Sequence, residues 1–274
     1  MNSKKLLAIH DLSGIGHTSL MAVVPIMYHY GIQTAMLPTS LLSTNTCYPG
    51  YYMQDSTKIM QNILRHWCKL GIKFSCIYSG FLGSPEQVDI LIEATQNLAE
   101  DGCLIVVDPV LADDGELYSC YDNSMVNAMK KAIAIADLIT PNYTEACLLT
   151  DSPYQSLPEG AMILAMCQQM CASGTNKVIV TSVPADKGTK TYYYDSASGS
   201  LQCFECRYIP AFYPGTGDVF ASLVTAMLLN GEDIVSAIQF ATGFIYDAIN
   251  RTISIGRDHR EGICLDIMLK SVPR

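Results

Sequence analysis

Charge is scarce in this chain. Asp, Glu, Lys and Arg supply 16% of its 274 residues, and the basic ones are the minority, 17 against 26. With 49% hydrophobic residues, so low a charge density excludes a disordered chain. Few, scattered Lys and Arg argue against nucleic acid as the main partner. They leave room for a small phosphate ligand, which backbone amides can hold. Long apolar runs are also missing. No stretch approaches the length of a membrane span, and Leu6–Ile9, behind a polar start, is too short for a signal peptide. The P-loop pattern GxxxxGKS/T does not occur, and no GxGxxG follows a strand-like run, which removes the commonest nucleotide-binding folds. Tryptophan occurs once, at Trp67, where helix-face or core packing is expected.

Cysteine is plentiful, at 11 residues, but the number is odd and the residues lie in apolar runs such as Phe74–Ile77. A chain of this length needs no staples, so reduced, mostly buried thiols in a cytoplasmic protein are expected. The pair Cys203 and Cys206 lacks a second pair or a nearby His, which argues against zinc.

Short apolar runs alternate with segments of helical period. Strands are expected at 6–9, 34–37, 74–78, 104–107, 138–140 and 178–181, with a hairpin from 189–195 and 202–208 about Ser198-Gly199. Helices are expected at 19–30, with Pro25 as a kink, and at 55–70, 85–100, 123–136, 159–172, 218–229 and 234–250. This order predicts one α/β domain over 1–274, with a mostly parallel sheet covered on both faces. The stretch 38–52, rich in Ser, Thr, Pro, Gly and Tyr, has no period and reads as a lid or binding loop. Ligands of such sheets sit beyond the carboxyl ends of the strands. Polar or Gly residues follow every strand here: Asp11, Pro38-Thr39, Ser79-Gly80, Asp108, Thr140 and Thr181-Ser182.

The segment Gly215-Thr216-Gly217-Asp218 opens an apolar helix. Its glycines permit a tight turn whose N–H groups point one way, and the helix N-terminus adds positive potential. Such a turn can hold an anion, and Asp218 could take a proton beside it. Read alone, it is more simply an N-cap turn with Asp stabilising the helix dipole.

The ordered set of motifs resembles the pyridoxal/pyridoxamine (vitamin B6) kinases of the ribokinase-like superfamily over about residues 5–250. It comprises the Gly-rich turn 6–17, the segment Pro38–Thr46, Ser79–Ser84, Asp108–Asp113, Thr140–Ala146, Thr181-Ser182 and the Gly-Thr-Gly-Asp helix start. The resemblance implies a three-layer α/β/α fold and ATP-dependent phosphorylation of the 5′-hydroxymethyl group of pyridoxal, pyridoxamine or pyridoxine. It makes Asp218 the general base, with Gly215, Thr216 and Gly217 forming the anion hole. Asp108 and Glu145 would hold Mg²⁺, through water. Asp113, Asn142, Thr181 and Ser182 would face ATP or the metal, and K⁺ or Na⁺ would sit near the anion hole. Asp11, His17, Thr46 and Phe81 fall on the substrate side, and a homodimer is implied. Each residue has a plainer reading: Asp108 as an Asx turn, Glu145 as an exposed first-turn Glu, Asp113 as one of a solvated pair, His17 as a helix-start residue, Thr46 as a turn cap.

Asp11 stands where several pyridoxal kinases carry a Ser, Leu42 replaces a frequent Phe, and Phe81 a frequent Tyr. A carboxylate at 11 would suit a cationic ring nitrogen or an amine, or else it caps the turn at Ser13-Gly14. The competing readings are hydroxymethylpyrimidine kinase, a sugar or nucleoside kinase, and a B6-binding module without catalysis.

Overall fold

A computed structural model describes residues 4–207 and 209–272. The chain runs β1 (Lys5–Ser13), α1 (Leu20–His29), β2 (Gln33–Leu42), β3 (Met53–Asp55), α2 (Thr57–Lys69), β4 (Phe74–Ser79), α3 (Pro85–Leu98) and β5 (Ala99–Val107). It continues through β6 (Ala112–Asp113), β7 (Glu116–Leu117), α4 (Asn123–Ile133), β8 (Leu138–Ile139), α5 (Tyr143–Leu149) and α6 (Gly160–Ala172). Then come β9 (Lys177–Ala185), β10 (Gly188–Asp195), β11 (Ser200–Glu205), α7 (Thr216–Leu229) and α8 (Ile234–Ser254).

Nine strands form one sheet in the order β11-β10-β9-β8-β5-β4-β1-β2-β3. The strands from β9 across to β2 are parallel; β3, β10 and β11 add antiparallel edges. Side-chain alternation splits the core in two. Leu7, Ile9, Ile77, Val107 and Val178 pack beneath α2 to α6, whereas Leu6, Ala8, Tyr78, Val106 and Ile179 pack beneath α1, α7 and α8. The result is the expected three-layer α/β/α arrangement. Trp67 lies on α2 with its ring edge-on to Phe74 at 6.0 Å.

Helix starts follow the sequence chemistry. Ser84, Asp122 and Asp233 each accept a first-turn amide, and Pro85 occupies the first turn of α3. By contrast, α1 and α7 have no side-chain cap.

Several expectations need correction. The irregular stretch 38–52 is shorter than its composition implies: β2 continues to Leu42 and β3 returns from Met53, leaving 43–52 as the connection. Pro38 is tolerated because it pairs only with His10 of β1, while β3 joins β2 from Ser40 onward, so the missing N–H faces an open edge. The helix expected to reach Glu100 ends at Leu98, and β5 begins at once. The strand expected to reach Tyr208 ends at Glu205, and Tyr208 itself lies outside the described residues. All eleven cysteines are unpaired, but only four are fully buried; Cys120 and Cys203 are exposed. No described helix is long and apolar enough to cross a membrane.

Candidate active site

The turn that opens α7 is built by one glycine in a left-handed conformation and one close approach. Gly215 precedes α7 at φ +83°, a left-handed conformation, and a Cβ there would lie 2.4 Å from the His17 carbonyl oxygen. The chain behind it is therefore pressed onto the loop that follows β1. The first amides of α7 are left without a side-chain cap. Asp218, in that first turn, accepts the Ser19 N–H through Oδ2 at 2.8 Å. Burial, with help from the charges of Asp108 and Asp11, pushes its pKa up to about 8, against the Ser19 hydrogen bond.

Asp108 follows β5 and accepts the Thr140 hydroxyl at 2.9 Å. Glu145 is no exposed first-turn residue: it is buried, and its two oxygens accept Leu111 N–H at 3.0 Å and Asn142 N–H at 2.7 Å. With Asn142 it forms a capping box on α5. Burial raises the proton affinity of both Asp108 and Glu145, and the Asp108 charge raises that of Glu145 further. The Asn142 amide also donates to Ala112 O at 2.7 Å, tying α5 to the β6–β7 hairpin that carries Asp113.

These groups share one cavity of about 660 Å³ at the carboxyl ends of the parallel strands. Of the residues singled out by sequence, Asp11, Thr46, Phe81, Asp108, Asp113, Asn142, Glu145, Thr181, Ser182 and Gly215 through Asp218 line it. His17 is not among the lining residues. Its N–H donates to Glu261 O at 2.8 Å and its carbonyl backs Gly215, so its part is to support the turn. Phe81 stacks on Tyr121 at 5.7 Å. None of the described lining residues is Lys, Arg or His.

The sequence reading missed Ser19, Tyr118 and Asn45, all of which line the cavity. A Ser before an apolar helix signals a cap and nothing more. Gly16 packs against Asn45, where a Cβ would meet the amide nitrogen at 2.4 Å, but only the fold brings the two together.

An alcohol about to be phosphorylated needs a base next to a seat for anionic phosphoryl oxygens, and one turn of α7 sets a carboxylate beside amides that no side chain caps. With the three-layer fold, that arrangement defines a ribokinase-like phosphotransferase with an alcohol acceptor. The family model described as phosphomethylpyrimidine kinase matches residues 24–262. A candidate phosphomethylpyrimidine kinase from Bacteroides thetaiotaomicron, crystallised with pyridoxal, is 40% identical with a TM-score of 0.95, covering 100% of this chain and 97% of that one. Pyridoxal kinase from Lactobacillus plantarum is 31% identical with a TM-score of 0.89, covering 98% and 96%. Haemophilus influenzae pyridoxal kinase PdxY is 28% identical over 188 residues, 66% of this chain and 64% of that enzyme. The chain belongs to the family that this model describes, and within the ribokinase-like superfamily it stands with the pyridoxal kinases.

Proposed function

We propose that this kinase transfers the γ-phosphoryl group of ATP to the 5′-hydroxymethyl group of vitamin B6 vitamers. The observation that carries the reading is Asp218, a carboxylate whose pKa is pushed up to about 8, in the first turn of an uncapped helix and open to the cavity. The vitamer hydroxyl oxygen attacks the γ-phosphorus, its proton passes to Asp218, and the bond to the β-phosphate oxygen breaks to release ADP. Amides of Gly215 through Asp218 hold the phosphoryl oxygens as charge shifts onto them. Thr181 and Ser182, in the middle of β9, and Asp113, on the β6–β7 hairpin, face the nucleotide side.

The residues present fit Mg²⁺. A polyphosphate cannot enter an acidic cavity lined by no basic side chain unless a cation accompanies it. Both Glu145 oxygens already accept an amide, which suits contact through water, and Asp108 Oδ2 has no hydrogen-bond partner among the described residues. When bound, the ion supplies charge neutralisation between the phosphates. Asp11, Thr46 and Phe81 belong to the acceptor side, where Asp11 suits a protonated ring nitrogen or the ammonium of pyridoxamine.

Pyridoxal in the crystal of the 40%-identical relative weighs against a hydroxymethylpyrimidine acceptor. The test is ATP consumption with pyridoxal, pyridoxamine, pyridoxine, hydroxymethylpyrimidine and ribose. Turnover confined to the pyrimidine or to ribose overturns the acceptor assignment. Asp218→Ala should lower kcat on the order of 10²–10⁴-fold with binding nearly intact. Retention of more than about a tenth of wild-type kcat removes Asp218 as the base.

A further inference from the structure

Ser19 joins two carboxylates that lie far apart in sequence. Its N–H donates to Asp218 Oδ2 at 2.8 Å. Its hydroxyl donates to Asp11 Oδ1 in a very short hydrogen bond. The other Asp11 oxygen accepts the Ser13 hydroxyl at 3.3 Å. Ser19 is only 6% exposed, and no described basic side chain lines the cavity to compete for either carboxylate.

Two observations separate this from ordinary helix capping. Ser19 occupies the N-cap position of α1, where a serine oxygen normally accepts an amide one turn in. No such bond forms, and the hydroxyl is turned to Asp11 instead. Ser19 also sits at φ +48° and ψ −128°, a conformation that residues with side chains rarely adopt. Such strain persists where the surroundings over-determine it, and it gathers at functional sites. Here it lets one residue direct its N–H and its hydroxyl at two different carboxylates.

We propose that Ser19 is a positioning residue of the kinase reaction, fixing the carboxylate that receives the vitamer's cationic group against the carboxylate that takes the hydroxyl proton. The inference rests on the acceptor role of Asp11 and the base role of Asp218 proposed above. Holding both from one point sets the distance between the recognised end of the acceptor and the base, which is what orientation requires.

A double-mutant cycle tests it. Ser19→Ala removes the hydroxyl from Asp11 and keeps the N–H on Asp218. The KM for pyridoxamine should rise on the order of tenfold, the size of one charge-assisted hydrogen bond, and by more than kcat falls. In an Asp11→Ala background the same change should alter KM by less than about twofold, because the partner is gone. Ser19→Gly loses the hydroxyl but relieves the backbone, so its Tm should match or exceed that of the wild type while KM is raised as in Ser19→Ala. A serine that merely held the fold would make KM follow Tm. An unchanged KM in Ser19→Ala, an equal rise in both backgrounds, or a wild-type KM in Ser19→Gly overturns the proposal. The cycle is read on whichever acceptor the wild type phosphorylates, so a wrong vitamer and an idle Ser19 give different results.

Discussion

Gly215 and Gly217 stand in the same turn for different reasons. At Gly215 a side chain meets both a φ of +83° and the His17 carbonyl at 2.4 Å, so Gly215→Ala should destabilise the protein by about 2 kcal/mol or more. At Gly217 a Cβ would meet nothing within 4 Å. There, in the first turn of α7, alanine should add roughly 0.5–1 kcal/mol of stability. Its methyl would nonetheless project beside the proposed seat of the phosphoryl oxygens, so kcat/KM should fall at least about tenfold. Thermal unfolding and kinetics on the same Gly217→Ala preparation check both signs, and a loss of stability with full activity would contradict the account. Asp218 carries a second expectation. As a base it must be ionised, and its pKa is raised to about 8. Log kcat/KM, which reports the free enzyme, should therefore climb with pH and level off above about 8. A profile flat from about pH 6 to 9 would leave the base unassigned.

The α5 helix spans only seven residues, yet it carries a capping box whose Glu145 also faces the proposed metal position. Glu145→Gln should cost about 1 kcal/mol in the absence of metal, because the amide NH₂ cannot accept one of the two backbone N–H groups. It should also raise the Mg²⁺ concentration for half-maximal rate, and a titration of activity against Mg²⁺ reads this directly. Long elements such as α3 and α7 were legible from apolar periodicity, and the order of strand ends pointed to one crevice. The strands β3, β6 and β7 were not, since two or three residues hold no period to read. Pro38-Thr39-Ser40 reads as loop because proline and hydroxyl residues mark turns; only the open edge beside Pro38 explains why the strand survives. Glu145 was placed in a first turn, but its burial depends on Leu111 folding back over it, which no local pattern shows. Ser19 was placed as the first residue of a helix, while its partner Asp218 lies 199 residues away.

At the scale of the whole molecule, the acidic crevice sets how stability responds to pH. The folded pKa of Asp218, about 8, lies above its ordinary 3.8, so folding takes up a proton between those values and the contribution is lost as pH rises through 8. Burial moves Asp11, Asp108 and Glu145 in the same direction. His10, buried between the layers with its pKa lowered from 6.5 to about 3, acts oppositely: its contribution is present above 6.5 and lost as pH falls toward 3. Between pH 6.5 and 8 only the carboxylates of this set titrate, so Tm should fall across that window. Mg²⁺ with ATP should restore more of it at the alkaline end, since a ligand held by ionised carboxylates favours the folded state. Unfolding scans at both pH values, with and without Mg²⁺ and ATP, decide this; a Tm rising from pH 6.5 to 8 would contradict it. The hydrogen bond from Ser19 to Asp218 has a further consequence for the protein's manufacture. It joins the first helix to one that leaves the ribosome after every strand of the sheet. A nascent chain still short of α7 carries the acidic wall of the crevice but neither the Gly215–Asp218 turn nor the proposed base, so on the proposed mechanism translation order keeps an unfinished chain from spending ATP.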